Sequence, residues 1–380
     1  MKTKIATAIT LALLAGTTYA APTFYGEIDL SVDYVAAENK NDVEDRDITD
    51  INSNNSYLGL KGEEKLTERL SALYQAEFTF YADDGDNNGD AFVPRNILLG
   101  LKDEKLGTLK IGKIDTPLKQ LSLAVDSFNN SVDNSADIHG IMGGENRIDN
   151  TLVYEAPAIK VGSGKVDIKA QVATGEGENQ LKQSKGGYTV AGRGLGDSWS
   201  SSVTYTDKTV IAGLAYDKAI PTRFLSRGFL NADKPEVTAD RNVLAEANTI
   251  RAIGRLNLLE GDLALKALYQ TSEVENPLAS PTDQQTKAAK IDDAQAWLIG
   301  AEYKLPTTSD KWTLKGQFSQ NITTFKDASE DYEANQFLVG LDYALSKQVK
   351  VYGHAGYLTI EQGSDEDEQV LVGTGFEFRF

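Results

Sequence analysis

Apolar and polar residues alternate with a period of two along most of this chain. Between Phe24 and Tyr34, one side carries Phe, Gly, Ile, Leu, Val and Tyr, whereas the other side carries Tyr, Glu, Asp, Ser and Asp. The same pattern returns at Trp312–Ser319, at Phe337–Leu345 and at the end of the chain. Alternation of this length is typical of β-strands with one apolar and one polar face. The chain is therefore predicted to be all-β.

About sixteen such strands are predicted, and the connections between them are alternately short and long. Asp207-Lys208 is a short connection, whereas 35–54 and 218–247 are long ones. The predicted strands are 23–35, 55–66, 70–81, 94–103, 107–113, 147–156, 165–174, 199–206, 209–217, 247–259, 263–274, 294–305, 312–324, 332–345, 349–361 and 368–380. An even strand number, with short turns at one end and long loops at the other, predicts a transmembrane antiparallel β-barrel.

The charge pattern of the predicted strands favours a wall in contact with lipid. Their apolar faces carry no charged residue, and a charge facing lipid at mid-depth would cost about 2–4 kcal/mol. A soluble β-sandwich alternates in the same way, but the polar faces here carry too many charges for that fold. Closure of the sheet would pair every backbone group, which hydrocarbon requires.

The N-terminus resembles a secretory signal peptide. Lys2 and Lys4 precede an apolar run from Ile5 to Leu14, and small residues up to Ala20 follow. This order predicts an exported chain, with residues 1–20 as signal peptide and residues 21–380 as the barrel. The apolar run is too short to span a bilayer as a helix, and no later run of about 18 apolar residues exists.

Composition excludes several other functions. The chain has no Cys and two His, and its formal charge is −18. Without Cys there is no disulfide, thiol nucleophile or Cys-ligated metal, and the acidic balance argues against nucleic acid as a partner. His139 and His354 lie too far apart in sequence to predict a metal site, and no G-x-S-x-G motif predicts a serine nucleophile. We therefore predict no catalytic residue, no metal and no cofactor.

One segment, residues 113–147, is much longer than an ordinary connection. It contains several Asp residues together with apolar side chains that could anchor it to a wall. The predicted anchors are Leu118, Leu121, Leu123, Val125, Phe128 and Ile138. We expect the segment to fold into the barrel and narrow its lumen. Any single Asp could instead cap a turn or a short helix.

Local motifs of the chain resemble those of the general diffusion porins of Gram-negative outer membranes, the trimeric sixteen-stranded kind. Ser56–Gly62 and Leu98–Lys102 are similar to the second and fourth strands of that family. Gly107–Pro117 resembles the strand that enters the third loop, and Arg147–Thr151 with Tyr154 resembles the strand that leaves it. The resemblance extends over nearly all of residues 21–380.

The resemblance implies a pore constriction in which the inward-folded third loop places acidic groups opposite basic groups on the wall. The implied acidic residues are Asp115, Asp126, Asp133 and Asp137. The implied basic residues are Lys61, Arg95, Lys110, Lys113 and Arg147. Simple alternation would place Arg95 on the lipid face with Ile97, so we expect it to lie above the membrane or beside a β-bulge.

The resemblance also implies partners. The terminal Phe376, Phe378 and Phe380 resemble the signal that is read by the barrel-assembly machinery. A homotrimer in the outer membrane, surrounded by lipid and lipopolysaccharide, is implied in turn. The acidic stretch 83–90 starts like a calcium loop, but Arg95 replaces the expected Glu, so a solvated acidic loop is the simpler interpretation.

The predicted function is passive diffusion of small hydrophilic solutes and ions through a water-filled channel. The acidic loop and the negative formal charge predict a mild preference for cations. Two alternatives remain open, namely a substrate-specific porin for a sugar or organic acid and an outer-membrane adhesin or receptor barrel. An outer-membrane enzyme is disfavoured, because two His do not assemble a catalytic cluster.

Overall fold

The computed structural model describes residues 21–39, 47–85, 89–230, 243–306, 311–327 and 329–380. The predicted signal peptide, residues 1–20, lies outside the described residues. So do residues 86–88 of the acidic stretch.

Nearly all of the regular structure is β. The strands are β1 (Thr23–Asn39), β2 (Ile48–Ser53), β3 (Tyr57–Lys65), β4 (Leu70–Thr79), β5 (Val93–Asp103), β6 (Gly107–Asp115), β7 (Arg147–Glu155), β8 (Ile159–Val161), β9 (Gly164–Ala173), β10 (Lys182–Ser184), β11 (Gly187–Thr189), β12 (Ser198–Thr206), β13 (Val210–Phe224), β14 (Val243–Leu258), β15 (Leu263–Val274), β16 (Ile291–Lys304), β17 (Trp312–Phe325), β18 (Tyr332–Ala344), β19 (Val349–Gln362) and β20 (Asp365–Arg379). Each wall strand pairs antiparallel with the next along the chain, and β20 pairs with β1 to close the barrel.

The closed wall has sixteen strands, as the sequence predicted. Two wall strands are interrupted, so that β2 and β3 form one and β7 and β8 form another. The hairpin of β10 and β11 belongs to a long loop between β9 and β12. The last strand completes the seam, where the amide of Phe380 donates to the carbonyl of Gly26 at 3.1 Å.

The two faces of the wall differ as the alternation requires. On β18, Phe337, Val339 and Leu341 are exposed on the outer face, whereas Gln336 is buried inside. In hydrocarbon, such an apolar outer face is the favourable surface, because all backbone groups of the closed sheet are already paired. The interior therefore holds the charged and polar side chains.

A β-bulge settles the position of Arg95. The pairing of β4 with β5 shifts between Ala76 and Phe78. The shift turns the Arg95 side chain to the interior, where its Nε donates to Glu77 at 2.7 Å. The bulge is thus the correct one of the two explanations offered for this residue, since a bulge adds one residue to a strand and resets its alternation.

The described helices are short. They comprise Pro117–Ser122, Ser131–Asn134, Ile138–Ile141 and Gln285–Lys290, with 3-10 turns at Leu259–Gly261 and Pro277–Ala279. Within the described ranges, none of these helices has the length and apolar character needed to cross a membrane.

Candidate pore constriction

The third loop, residues 116–146, begins with a helix that its own sequence specifies. The Thr116 side chain accepts a hydrogen bond from the amide of Lys119 at 3.1 Å and caps the helix Pro117–Ser122. Pro117 occupies the first turn, where its missing N–H has no cost. The cap turns the chain sharply away from β6, and Leu118 and Leu121 become buried.

Apolar side chains of the loop pack against the interior of the wall. Leu118, Val125 and Phe128 are almost fully buried in one cluster with wall residues such as Leu298 and Leu338. Burial of a Leu or Phe side chain contributes roughly 1.5–3 kcal/mol, so this cluster is the main source of loop stability. Leu123 was predicted as an anchor, but it is 56% exposed. That prediction was wrong, because Leu123 follows the last turn of the helix and lines an open cavity of the lumen.

Arg251 on β14 ties both limbs of the loop to the wall. Its guanidinium forms an ion pair with Glu145 and donates to the carbonyl of Gly143 at 2.8 Å and to that of Leu118 at 3.4 Å. Gln270 on β15 accepts from the same guanidinium at 2.6 Å. Arg251 is fully buried, and a buried charge is tolerated only when it is paired and hydrogen-bonded in this way.

Other polar contacts hold the middle of the loop. Lys266 on β15 donates to the hydroxyl of Ser127 at 3.1 Å. Asn54, which follows β2, accepts from the backbone amide of Asp133 at 3.1 Å. The loop is therefore attached to strands on different sides of the barrel.

The predicted acidic residues have different environments. Asp115, at the end of β6, lies 3.1 Å from Arg147 and 3.1 Å from Lys119, and it also accepts from Asn96 at 2.8 Å. Asp115 and Arg147 are register partners at the ends of β6 and β7 and form a direct ion pair. Both residues line one cavity of the lumen.

Asp126 and Asp137 form a close acidic pair within the loop. Asp137 caps the helix Ile138–Ile141 by accepting from the amide of Gly140 at 3.2 Å, and Asp126 accepts from the amide of Phe128 at 3.1 Å. Burial raises the pKa of Asp126 to about 6, and burial together with the charge of Asp126 raises the pKa of Asp137. These carboxyls act as caps of turns and helices in the loop as well as lining the lumen.

Two of the predicted basic residues lie elsewhere. Lys61 stacks on the ring of Tyr25 at 4.5 Å, and Lys110 pairs with Glu155 at 2.7 Å. Both residues line a separate cavity near the short turns, and neither borders the cavities beside the third loop. Lys113 pairs with Asp149 at 2.9 Å on the side of the long loops. The prediction that Lys61 and Lys110 face the loop is therefore wrong. Both lie on the inner face of the wall, but nearer the short turns than the third loop does.

Two cavities of the lumen border the third loop, and we call them the outer and the inner chamber. The charged residues of the outer chamber are Asp115, Asp126, Asp137, Glu145, Arg95, Lys119, Arg147, Arg223 and Arg227. The charged residues of the inner chamber are Glu27, Asp29, Glu77, Asp126, Glu302, Asp342, Glu377, Arg95, Lys315, Lys350 and Arg379. Arg95, Asp126, Asn129 and Asn130 border both chambers, so the chambers meet at these four residues.

This closed barrel with an internal loop can be compared with known proteins. The family model described as Gram-negative porin matches residues 6–363. The chain belongs to the Gram-negative porins. It is thus an outer-membrane channel for diffusion and not an enzyme.

Individual relatives of this porin are distant but cover its length. It is 22% identical to the major outer membrane protein P.IB of Neisseria sicca, over 98% of each chain. It is 23% identical to an outer membrane porin protein of Bordetella pertussis, over 91% of this chain and 83% of that one. The fold resembles that of an anion-selective porin from Comamonas acidovorans, with a TM-score of 0.66, 18% identity and coverage of 95% and 99% of the two chains.

Three basic residues of the outer chamber of this porin were missed by sequence reasoning. Lys119 pairs with Asp115 four residues before it, which is a spacing that helices bring together. Arg223 and Arg227 come from the long connection after β13, and both line the outer chamber. Phe224, Leu225 and Phe229 stand beside the two Arg residues in the sequence. These apolar residues in a long connection were the sequence signal that this segment packs inside the barrel.

Proposed function

We propose that small hydrophilic solutes and ions diffuse through this porin past a constriction where the outer and inner chambers meet. The observation that carries the proposal is the shared border of Arg95, Asp126, Asn129 and Asn130. A charged and polar border of this kind selects solutes by size and charge, since opposed charges across a narrow water column create a transverse field. The acidic half of this field is Asp126, and the basic half is Arg95.

We further propose that the constriction favours small anions. The mild cation preference expected from the formal charge of −18 receives no support from the comparisons, and one solved structure of similar fold is described as an anion-selective porin. In the outer chamber, Asp115 is neutralised by Arg147 and Lys119, and Glu145 is neutralised by Arg251.

The described residues that line that chamber include five basic and four acidic side chains, so the count of charges is positive without any protonation. Arg223 and Arg227 then leave the outer chamber with a positive excess among its described residues. The inner chamber is acidic, but selectivity is decided mainly at the narrowest cross-section, where the solute is closest to the charges.

Reversal potentials of the purified porin in planar bilayers under a salt gradient test this sign. The expected reversal potential of the wild type has the sign of an anion-selective channel. Arg95→Gln should shift this potential toward the value for a cation-selective channel. Lys61→Gln is the matched control, because it removes one positive charge from a lumen site away from the constriction. A wild-type potential of the opposite sign, or equal shifts in the two variants, would contradict the proposal.

The homotrimer and the remaining partners are also proposals. A trimer is supported by the exposed apolar outer wall and by a similar fold, OmpT of Vibrio cholerae, described in a trimer form (TM-score 0.58, 15% identity). Lipid and lipopolysaccharide would cover the rest of that wall. Phe376 and Phe380 are exposed at the barrel seam, where the assembly machinery could bind them. Chemical cross-linking in the native membrane tests the trimer, and monomers alone would refute it.

A further inference from the structure

A second segment crosses the interior of the barrel. Residues Leu225–Leu230, which we call the strap, continue from the end of β13. The amides of Phe229 and Leu230 donate to the side-chain oxygen of Gln369 on β20, at 2.7 and 3.2 Å. Six strands lie between β13 and β20 in the wall, so the strap passes across the lumen rather than along the rim.

The far end of the strap has a prepared position on the wall. A side chain at Gly356 on β19 would come within 2.8 Å of the Phe229 ring, so the absence of a side chain there makes room for the ring. Phe229 is 1% exposed. The hydroxyl of Tyr332 on β18 donates to the carbonyl of Ser226 at 3.0 Å. Backbone and side-chain contacts therefore both fix the strap to β18–β20.

The strap also packs on the third loop. The hydroxyl of Ser226 and the amide of Arg227 both donate to the carbonyl of Gly140, at 2.9 and 3.0 Å. The guanidinium of Arg227 donates to the carbonyl of Asn134 at 3.1 Å and lies 3.0 Å from Nδ1 of His139. One side chain thus joins the two short helices of the loop, Ser131–Asn134 and Ile138–Ile141.

We propose that the strap and the third loop together set the cross-section of the channel, and that Arg227 positions the part of the third loop that contains the helices Ser131–Asn134 and Ile138–Ile141. The inference rests on the proposed diffusion function. Leu225, Phe229 and Leu230 belong to the same buried cluster as Phe128 and Ile141 of the third loop, so the two segments form one packed body. Release of the strap would then widen the outer chamber and loosen the loop.

Conductance of the purified full-length porin in planar bilayers is the first test. Phe229→Ala should raise the single-channel conductance and admit larger sugars in liposome-swelling assays, because it removes the anchor at Gly356. Phe337→Ala on β18 is the matched control, since that ring is 50% exposed on the outer face. Equal conductance and equal size limits in wild type and Phe229→Ala would refute the proposed role of the strap in setting the cross-section, while leaving the diffusion function intact. A wild-type protein without conductance would instead overturn the diffusion function.

Thiol accessibility is the second test, and it does not depend on the folding of the Phe229 variant. The chain has no Cys, so one introduced thiol is the sole reactive group. Ser226 belongs to the strap and is fully buried, whereas Leu195 is 61% exposed in another long loop. Ser226→Cys should react with a water-soluble thiol reagent far more slowly than Leu195→Cys. Equal rates would refute the docked strap.

Discussion

Replacement of Arg251 should release the third loop without unfolding the barrel. We consider Arg251→Met, which keeps an unbranched apolar side chain and removes the charge and the donors. Three groups of the loop then lose the guanidinium, namely the Glu145 carboxylate and the carbonyls of Gly143 and Leu118. Ser122 still donates to Glu145, and Gln270 still donates to Gly143. The backbone ladders of β14 with β13 and β15 do not involve this side chain.

The size of the effect follows from burial. The Arg251 side chain is 0% exposed and that of Glu145 is 7% exposed, so the carboxylate loses its ion-pair partner in a site with little water. Loss of one partner of a buried ion pair costs about 3–5 kcal/mol. If that cost falls on the docking of the loop, the undocked population rises roughly 10²–10⁴-fold, since about 1.4 kcal/mol corresponds to a factor of ten.

Arg255 on the same strand is the matched control. Its guanidinium donates to one loop group, the carbonyl of Ala124 at 3.3 Å, and to Asn257 at 2.9 Å. Arg255 is only half-buried, so water can replace these contacts in Arg255→Met. The expected cost is about 1 kcal/mol, which is typical of one ordinary hydrogen bond.

A thiol at Ser122 measures loop docking directly. Ser122 is 2% exposed in the first helix of the loop and donates to Glu145 at 2.9 Å. In the Ser122→Cys background, the rate of reaction with a water-soluble thiol reagent reports the undocked fraction when opening is fast relative to labelling. Arg251→Met should accelerate the reaction by the factor given above, and Arg255→Met by about tenfold or less. Equal acceleration in the two variants would refute the role of Arg251 as the anchor of the loop.

Two further predictions concern pH and the seam of the barrel. Docking of the loop raises the pKa of Asp126 to about 6, so Asp126 stabilises the docked loop more at a pH of about 5 than at a pH of about 7. Burial lowers the pKa of His139 in the same loop, which acts in the opposite direction. The contribution of Asp126 is isolated by comparison: labelling of Ser122→Cys, relative to Ser122→Cys with Asp126→Asn, should be slower at a pH of about 5 than at a pH of about 7. Gly373→Ala on β20 should lower the free energy of unfolding by about 1–3 kcal/mol, because the added methyl group would overlap Asp33 and His354. Gly353→Ala is the control and should be near neutral, since the nearest atom to its added methyl group is 3.8 Å away. Guanidinium unfolding of the detergent-solubilised barrel measures both free energies.

The sequence predicted the wall well because lipid imposes one rule on every strand. A period of two with an uncharged apolar face defines both the strands and the closed sheet. The third loop was expected at 113–147, and in the structure β6 ends at Asp115 and β7 begins at Arg147. The pairing of Asp115 with Arg147 was also within reach, since both stand where the loop leaves the wall.

Depth along the barrel was the weaker part of the prediction. Periodicity assigns a side chain to a face, and it does not by itself say how far along the strand that residue lies. Lys110 is three residues after the start of β6, which places it about 10 Å from the short-turn end at about 3.3 Å per residue. Counting residues from the turn would therefore have separated Lys110 and Lys61 from the constriction.

Breaks in the alternation mark where the internal segments pack. Leu298, Leu338 and Leu371 point into the barrel and are at most 1% exposed, although each lies between two outward-facing apolar residues. A strand that faces water inside would carry a polar residue at such a position, so three consecutive apolar residues indicate that something apolar covers the inner face. The third loop and the strap share one buried cluster with these Leu residues. Runs such as Phe337-Leu338-Val339 therefore predict the footprint of an inward-folded segment, and the same argument could have located the strap from the sequence.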